Sequence, residues 1–247
     1  MAAPTVTGVT RLIEPVRTAP VTTRTGRVAP RIGWTFVLLT ALAIVAYAAV
    51  PYFTASLETL AEAPGLAADY VGKPAFVLAA LYLHIAGGAT ALALGALQFW
   101  RGLRTRAPRV HRWTGRIYLL GVAVGSLGGL VIAPTSTAGF VGFFGFSTLA
   151  VLWPVTGWRA YRAIRRGDVA SHQAWMIRNY ALTYSAVTLR IWLPLMIFAP
   201  LLFGQTPDFD NAYAAVPFLA WLPNLVVAEW LIRRRGLPSY RLPVARA

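Results

Sequence analysis

AFVLAALYLHIAGGATALALGALQFW, residues 75–100, runs directly into RGLRTRAPRVHRWTGR, residues 101–116. In the first stretch the only titratable groups are His84 and Tyr82, whereas the second carries six arginines. A helix rising about 1.5 Å per residue needs roughly 20 apolar residues to cross a hydrocarbon core of about 30 Å. The pair therefore reads as a membrane span closed by a short positive loop. Five more apolar runs of similar length occur at 33–53, 115–133, 139–158, 174–203 and 213–232. The expected fold is all-α, a polytopic transmembrane helical bundle of six spans. Composition agrees: 57% of the 247 residues are hydrophobic and 13% are charged, and the mean hydropathy is +0.58. A water-soluble domain of this length could not hide so much apolar surface.

The arginines alternate between loops. Arg11, Arg17, Arg24, Arg27 and Arg31 precede the first span. Arg101, Arg104, Arg106, Arg109, Arg112 and Arg116 separate the second from the third. Arg159, Arg162, Arg165 and Arg166, with Arg178 just beyond, separate the fourth from the fifth, and Arg233, Arg234, Arg235, Arg241 and Arg246 follow the sixth. Only Lys73 and Arg190 of the 23 basic residues fall elsewhere. The intervening loops carry Glu58, Glu62, Asp69, Asp208 and Asp210. Because short positive loops stay on the cytoplasmic side, both termini are expected there, in a bacterial plasma membrane. The formal net charge of +15, split among four patches at span ends, points to topology and to anionic lipids at the cytoplasmic face, not to nucleic acid.

The chain has no cysteine, which removes disulfides, thiolate metal sites and iron–sulfur clusters. Residues 1–32 are basic, without helical period and punctuated by Pro20 and Pro30; they read as a disordered cytoplasmic tail. The six-span domain follows at 33–232, and 233–247 form a second basic tail. No Gly-x-Ser-x-Gly elbow, His-Glu-x-x-His helix or phosphate loop occurs. Glu229 is the sole acid within a span, so carboxylate-pair hydrolysis lacks its parts.

Ionisable side chains are costly in a bilayer and face the bundle interior, usually with a partner. In the second span His84, Gly88, Ala91, Gly95 and Gln98 share a helical face, and its small residues allow close helix approach. A third-span face carries His111, Gly115, Tyr118, Val122, Gly125 and Gly129; a fifth-span face carries His172, Met176, Asn179, Thr183, Ala186 and Arg190. Two polar layers are expected: an inner one holding His111, His172, Arg116, Arg178, Gln98 and Glu229, and an outer one holding His84 and Arg190. Glu229 is expected to neutralise an inner arginine. Arg190 cannot lose its proton, so it must find carbonyls or an anion. His84 reads equally as an interhelical hydrogen bond, and His111 and His172 as interfacial residues. Trp158, Trp175 and Trp230 fit an aromatic belt.

HIAGGATALALGALQFW from His84, HRWTGRIYLLGVAVGSLGGLVIA from His111 and HQAWMIRNYALTYSAVTLRIWLP from His172 resemble a family of bacterial multi-pass membrane proteins known as domain of unknown function 2306. The likeness covers about 75–200. It implies a helical bundle with His84, His111, Arg112, Gly115, Arg116, His172, Trp175, Arg178 and Arg190 as hallmark positions, and no established reaction. Gln173 departs from the His-Arg pair more usual there. A more distant likeness is to membrane b-type cytochromes of the cytochrome b561 and ferric-reductase kind, which implies His111 and His172 as iron ligands of one haem b. Three histidines allow at most one such haem, with Arg116 and Arg178 available to its propionates.

Three functions follow as expectations. The first is a single-haem transmembrane redox protein, in which case any enzymatic role is that of a membrane oxidoreductase. The second is a transporter or binding protein for a small or lipid-like anion at His84 and Arg190, with Gln98, Asn179 and Glu229 as further residues of the intramembrane polar site. The third is an accessory protein whose polar residues only pack helices. Pro194, Pro200, Pro217 and Pro223 mark interrupted helices of the kind transporters use, although the two halves show no internal repeat.

Overall fold

A computed structural model describes residues 29–63 and 65–238. Eleven α-helices follow in order: α1 (Ala29–Ala48), α2 (Pro51–Thr54), α3 (Leu57–Ala61), α4 (Ala75–Gln98), α5 (Arg101–Arg106), α6 (Pro108–Ile132), α7 (Gly139–Arg165), α8 (Val169–Thr183), α9 (Ser185–Phe198), α10 (Phe209–Leu219) and α11 (Leu222–Arg234). They make six helical stretches long and apolar enough to cross a membrane: Ile32–Thr54, Ala75–Gln98, Pro108–Thr135, Gly139–Arg165, Val169–Phe203 and Phe209–Arg234. Most of the expected 1–32 tail, and 239–247 of the second, lie outside the described residues; helix α1 already begins at Ala29.

The spans exceed the apolar runs at their arginine-rich ends. The third starts at Pro108 and not near 115, the fourth continues to Arg165, and the fifth starts at Val169. Arginine stems lie along apolar surface while the head groups reach water, so charge does not stop a helix there. The second span ends at Gln98; Trp100 instead caps α5 and stacks on Trp34, whose indole donates to the Ala96 carbonyl at 2.9 Å.

The tightest seam joins α4 to α6. A Cβ on Gly87 would stand 2.5 Å from the Gly125 nitrogen and 2.6 Å from the Gly121 carbonyl oxygen. One on Gly128 would strike the Ala80 carbonyl, and one on Gly95 the rings of Tyr180 and Tyr118. The seam therefore uses Gly87 where the spacing pointed to Gly88, whose Cβ would meet nothing. In lipid no hydrophobic force pushes helices together, so such close packing is what holds them. Around the seam α7 packs on α6 and α8, α10 on α9 and α7, α11 on α8, and α1 on α4.

Spans five and six are both interrupted, and the interruptions face each other. Pro223 lies in the first turn of α11, where its ring excludes the helical carbonyl four residues back; that carbonyl belongs to Leu219, where α10 ends. Span five tightens at Tyr184, between α8 and α9. Thr188 Oγ1 donates to the Ala220 carbonyl at 2.5 Å. Asn224 Nδ2 donates to the carbonyls of Ala181 and Ala220, both at 3.1 Å, and to Thr188 Oγ1 at 3.0 Å. Carbonyls released at the breaks are thus satisfied by side chains, as irregular backbone at membrane depth requires.

Helix α8 is launched by Asp168, whose carboxylate accepts from the Ser171 amide at 2.9 Å. Those hydrogen bonds hold the exposed carboxyl below its ordinary pKa. A depressed folded-state pKa contributes stability above the unfolded value and loses it as pH falls through the folded one. The wild-type thermal transition is therefore expected to fall on acidification below the ordinary carboxylate range, with Asp168→Asn lacking that increment.

Candidate functional site: three polar layers along the bundle

At the acidic end, the structure brings His84 and Arg190 within electrostatic range of each other. His84 Nδ1 lies 2.8 Å from the Gly125 carbonyl oxygen. A carbonyl only accepts, so Nδ1 carries the proton and Nε2 is left as an acceptor. The interhelical bond expected of His84 therefore exists. Arg190 donates to the Ala186 carbonyl of its own helix at 2.9 Å and lies in electrostatic range of Tyr47 and Tyr52. The ion pair found among the described residues is Arg178 with Glu229, so no described carboxylate is paired with Arg190. Tyr52 in turn feels Tyr82 and Asp69. Asp69 accepts from Thr137 at 3.0 Å. Tyr70, in the loop beyond the spans, has its pKa raised chiefly by burial, which keeps its hydroxyl a neutral donor. A guanidinium with two phenols in electrostatic range can hold an anion.

In the middle, a buried network ties α6, α7 and α8. Tyr118 Oη donates to Asn179 Oδ1 at 2.5 Å and lies 3.0 Å from Thr183 Oγ1. Asn179 Nδ2 donates to the Trp153 carbonyl at 2.6 Å and to Thr156 Oγ1 at 2.8 Å. Trp153 Nε1 donates to Thr183 Oγ1 at 2.8 Å. Asn179, expected to belong to a ligand site, instead has both ends of its amide engaged by these helices. Trp153 and Thr156 escaped the sequence reading; their signal was a polar threonine two residues after Pro154 in an otherwise apolar run.

At the basic end, His111 and His172 lie within electrostatic range of each other. Their hydrogen bonds differ. His172 Nδ1 donates to the Ala160 carbonyl at 3.0 Å, leaving Nε2 as a free acceptor. Gln98, oriented by its full set of neighbours, donates from Nε2 to His111 Nδ1 at 2.7 Å and accepts from Thr114 at 2.6 Å and from the Gly115 amide at 3.3 Å. His111 Nδ1 is then an acceptor and its Nε2 carries hydrogen. Arg178 is bound bidentately by Glu229, at 2.5 and 2.9 Å, and stacks on Trp175 at 4.7 Å. The expected neutralisation of an inner arginine by Glu229 is thus present, with Arg178 as the partner. Arg116 is exposed and stacks on exposed Trp113 at 4.9 Å. Five residues along a helix turn the side chain by roughly 140°, so Arg116 leaves the face that holds His111.

These residues do not fit a bis-histidine haem as arranged. One imidazole presents an N–H where iron needs a lone pair, one of the two arginines turns outward, and the other is held by a carboxylate.

The architecture is that of a six-span helical membrane protein with polar layers sealed between its helices. Residues 81–232 match the profile of the family described as predicted membrane protein, domain of unknown function 2306, and the chain belongs to that family. The match reaches further toward the carboxyl end than 75–200 and takes in the sixth span. None of the curated proteins and none of the solved structures compared with it matches the chain.

Proposed function

We propose that this protein binds, and moves within or across the membrane, a small or lipid-like anion held by Arg190, with His84 beside it and both chain ends in the cytoplasm. The observation that carries this reading is Arg190 itself. It is a permanent cation in a membrane span, hydrogen-bonded to one carbonyl of its own helix and unpaired with any carboxylate among the described residues. The facing interruptions of spans five and six support it, because discontinuous helices let part of a bundle rearrange around a fixed site. Arg190 stands two residues beyond Thr188, which bonds the broken carbonyl of Ala220. The alternation of arginines between loops supports the orientation.

The test uses purified full-length protein in nanodiscs of neutral lipid, titrated with acetate, octanoate and oleate. At least one carboxylate is expected to raise the thermal transition saturably. A charge-assisted hydrogen bond contributes about 1.5–3 kcal/mol, so Arg190→Gln should weaken binding roughly 10- to 100-fold while Arg165→Gln leaves it unchanged. Equal binding by Arg190→Gln, or no response to any of the three, overturns the reading. A Soret band that shifts on dithionite reduction would replace it with the haem reading.

A further inference from the structure

At the basic end, far from Arg190, three chain segments meet on a small apolar plug. Ala174 and Ile177 of α8, Ala228 and Ile232 of α11, Phe99 at the end of α4, and Leu237 form it. Each segment carries cations at the rim. Phe99 leads within two residues to Arg101 and then Arg104 on α5; Ile232 leads to Arg235; Ala174 is preceded by His172.

The backbone that carries these cations is fixed on both sides. Helix α11 ends in a left-handed glycine, Gly236, with φ of 62°. The Gly236 amide donates to the Arg233 carbonyl at 3.0 Å and the Leu237 amide to the Ile232 carbonyl at 3.1 Å, while Leu237 packs back on Ile232. This is the double-bonded helix stop with its hydrophobic clasp, and Arg235 is the residue locked inside it. On the other side, the Arg104 amide donates to the Trp100 carbonyl at 3.4 Å, and Trp100 is pinned against Trp34.

The charges at this rim are of one sign. Arg104 lies in electrostatic range of Arg235 and Arg101 and also of His111 and His172. Among the described residues no carboxylate acts on Arg104. Of the acids at this end of the described chain, Asp168 caps its own helix and Glu229 is bound to Arg178. Three exposed guanidiniums carried on neighbouring segments repel one another, and an anion between them relieves that repulsion. Guanidinium forks suit the oxygens of phosphate.

We infer that Arg101, Arg104 and Arg235, with the imidazoles of His111 and His172 at their edge, form a binding site for a phosphate group, contributed either by an anionic phospholipid headgroup or by a soluble phosphate. The site is discrete. It differs from the general attraction of a positive surface for anionic lipid because its members stand on segments that meet on one apolar plug. It is also independent of the anion reading at Arg190.

The experiment is native mass spectrometry of the full-length protein released from nanodiscs of phosphatidylcholine with 10% phosphatidylglycerol or phosphatidic acid, together with a thermal-shift titration by inorganic phosphate in neutral nanodiscs. One retained anionic phospholipid per chain, or a saturable phosphate shift, is expected; the first assigns the headgroup and the second the soluble group. Arg104→Gln and Arg235→Gln should each lower that retention or affinity by about tenfold or more, whereas Arg165→Gln and Arg233→Gln change it less than twofold. Equal, small losses from all four variants would show a diffuse charge effect and overturn the site, as would retention indifferent to Arg104. Both test variants alter surface side chains at the ends of intact helices, and an unchanged transition in anion-free neutral nanodiscs checks that they fold.

Discussion

Gly87→Ala is expected to lower the thermal transition of the purified protein by roughly 6–12 °C, while Gly88→Ala, one residue away, leaves it unchanged or raises it slightly. The added Cβ at position 87 would lie 2.5 Å from the Gly125 nitrogen and 2.9 Å from its Cα. Both atoms are backbone of the facing helix and neither can swing aside, so α4 and α6 must separate. Overpacking of this kind costs about 1–3 kcal/mol, and contact with backbone argues for the upper end. For a chain of this size about 1 kcal/mol moves the midpoint by roughly 2–4 °C. Separation would also lengthen the 2.8 Å bond from His84 to the Gly125 carbonyl and strip contacts along a seam that has no hydrophobic force to restore it. At position 88 a Cβ meets nothing within 4 Å, and alanine is the better helix former by about 1 kcal/mol. Differential scanning fluorimetry of the two variants side by side in one detergent is the measurement. Equal shifts would mean that the α4–α6 seam is not as tight as described.

The contrast between these two glycines shows where sequence reading stops. Length and hydropathy were enough to place six spans, because a bilayer demands about 20 apolar residues from each. Helical period was enough to find the faces: Tyr118, Val122 and Gly125 of the third-span face are buried, as are Asn179 and Thr183 of the fifth. Period does not resolve 87 from 88, which lie only about 100° apart on a helix and compete for the same partner; the choice depends on how α6 lies against α4. Arg116 shows the opposite failure. Its place beside His111 in the sequence suggested a shared site, but the five-residue step had already turned it outward, and attention to angle would have caught this. The breaks at Tyr184 and Ala220 are a third kind. Pro217 and Pro223 were visible, but that Thr188 and Asn224 would stand level with the opened carbonyls is a property of two helices docked together. The Tyr118–Asn179–Trp153 network is likewise tertiary: its members come from three spans, and the period that put Tyr118 and Asn179 on their faces does not show that they meet each other and Trp153. Arg190 was more legible, since a guanidinium amid Thr188, Leu189, Ile191 and Trp192 needs an explanation wherever the helix packs.

Removing Glu229 should cost far more than removing its partner together with it. Arg178 is only 4% exposed, and its guanidinium is gripped through both Nε and a terminal nitrogen by the two oxygens of Glu229. Glu229→Leu leaves a cation that cannot shed its proton at the seam of α8 and α11, over the ring of Trp175, where Arg159 also stacks at 4.8 Å. Breaking a fully buried pair costs about 3–5 kcal/mol. The Glu229 side chain is 31% exposed, so water partly screens the pair, and roughly 2–3 kcal/mol is expected. Arg178→Leu should be milder, about 1 kcal/mol, because the stranded carboxylate, 31% exposed, reaches solvent. The double variant should come back to within about 1 kcal/mol of wild type, since an apolar pair in place of an ion pair is often neutral. The three variants and the wild type form a double-mutant cycle on thermal transitions in one detergent. Coupling near zero would show that Arg178 is held by its other contacts, and that Glu229 merely lies near it. A large coupling, with Glu229→Leu the worst of the three, would show that this one ion pair locks the sixth span onto the fifth below their facing breaks. The two half-spans beyond the breaks, α9 with Arg190 and α10, would then be the part of the bundle left free to move.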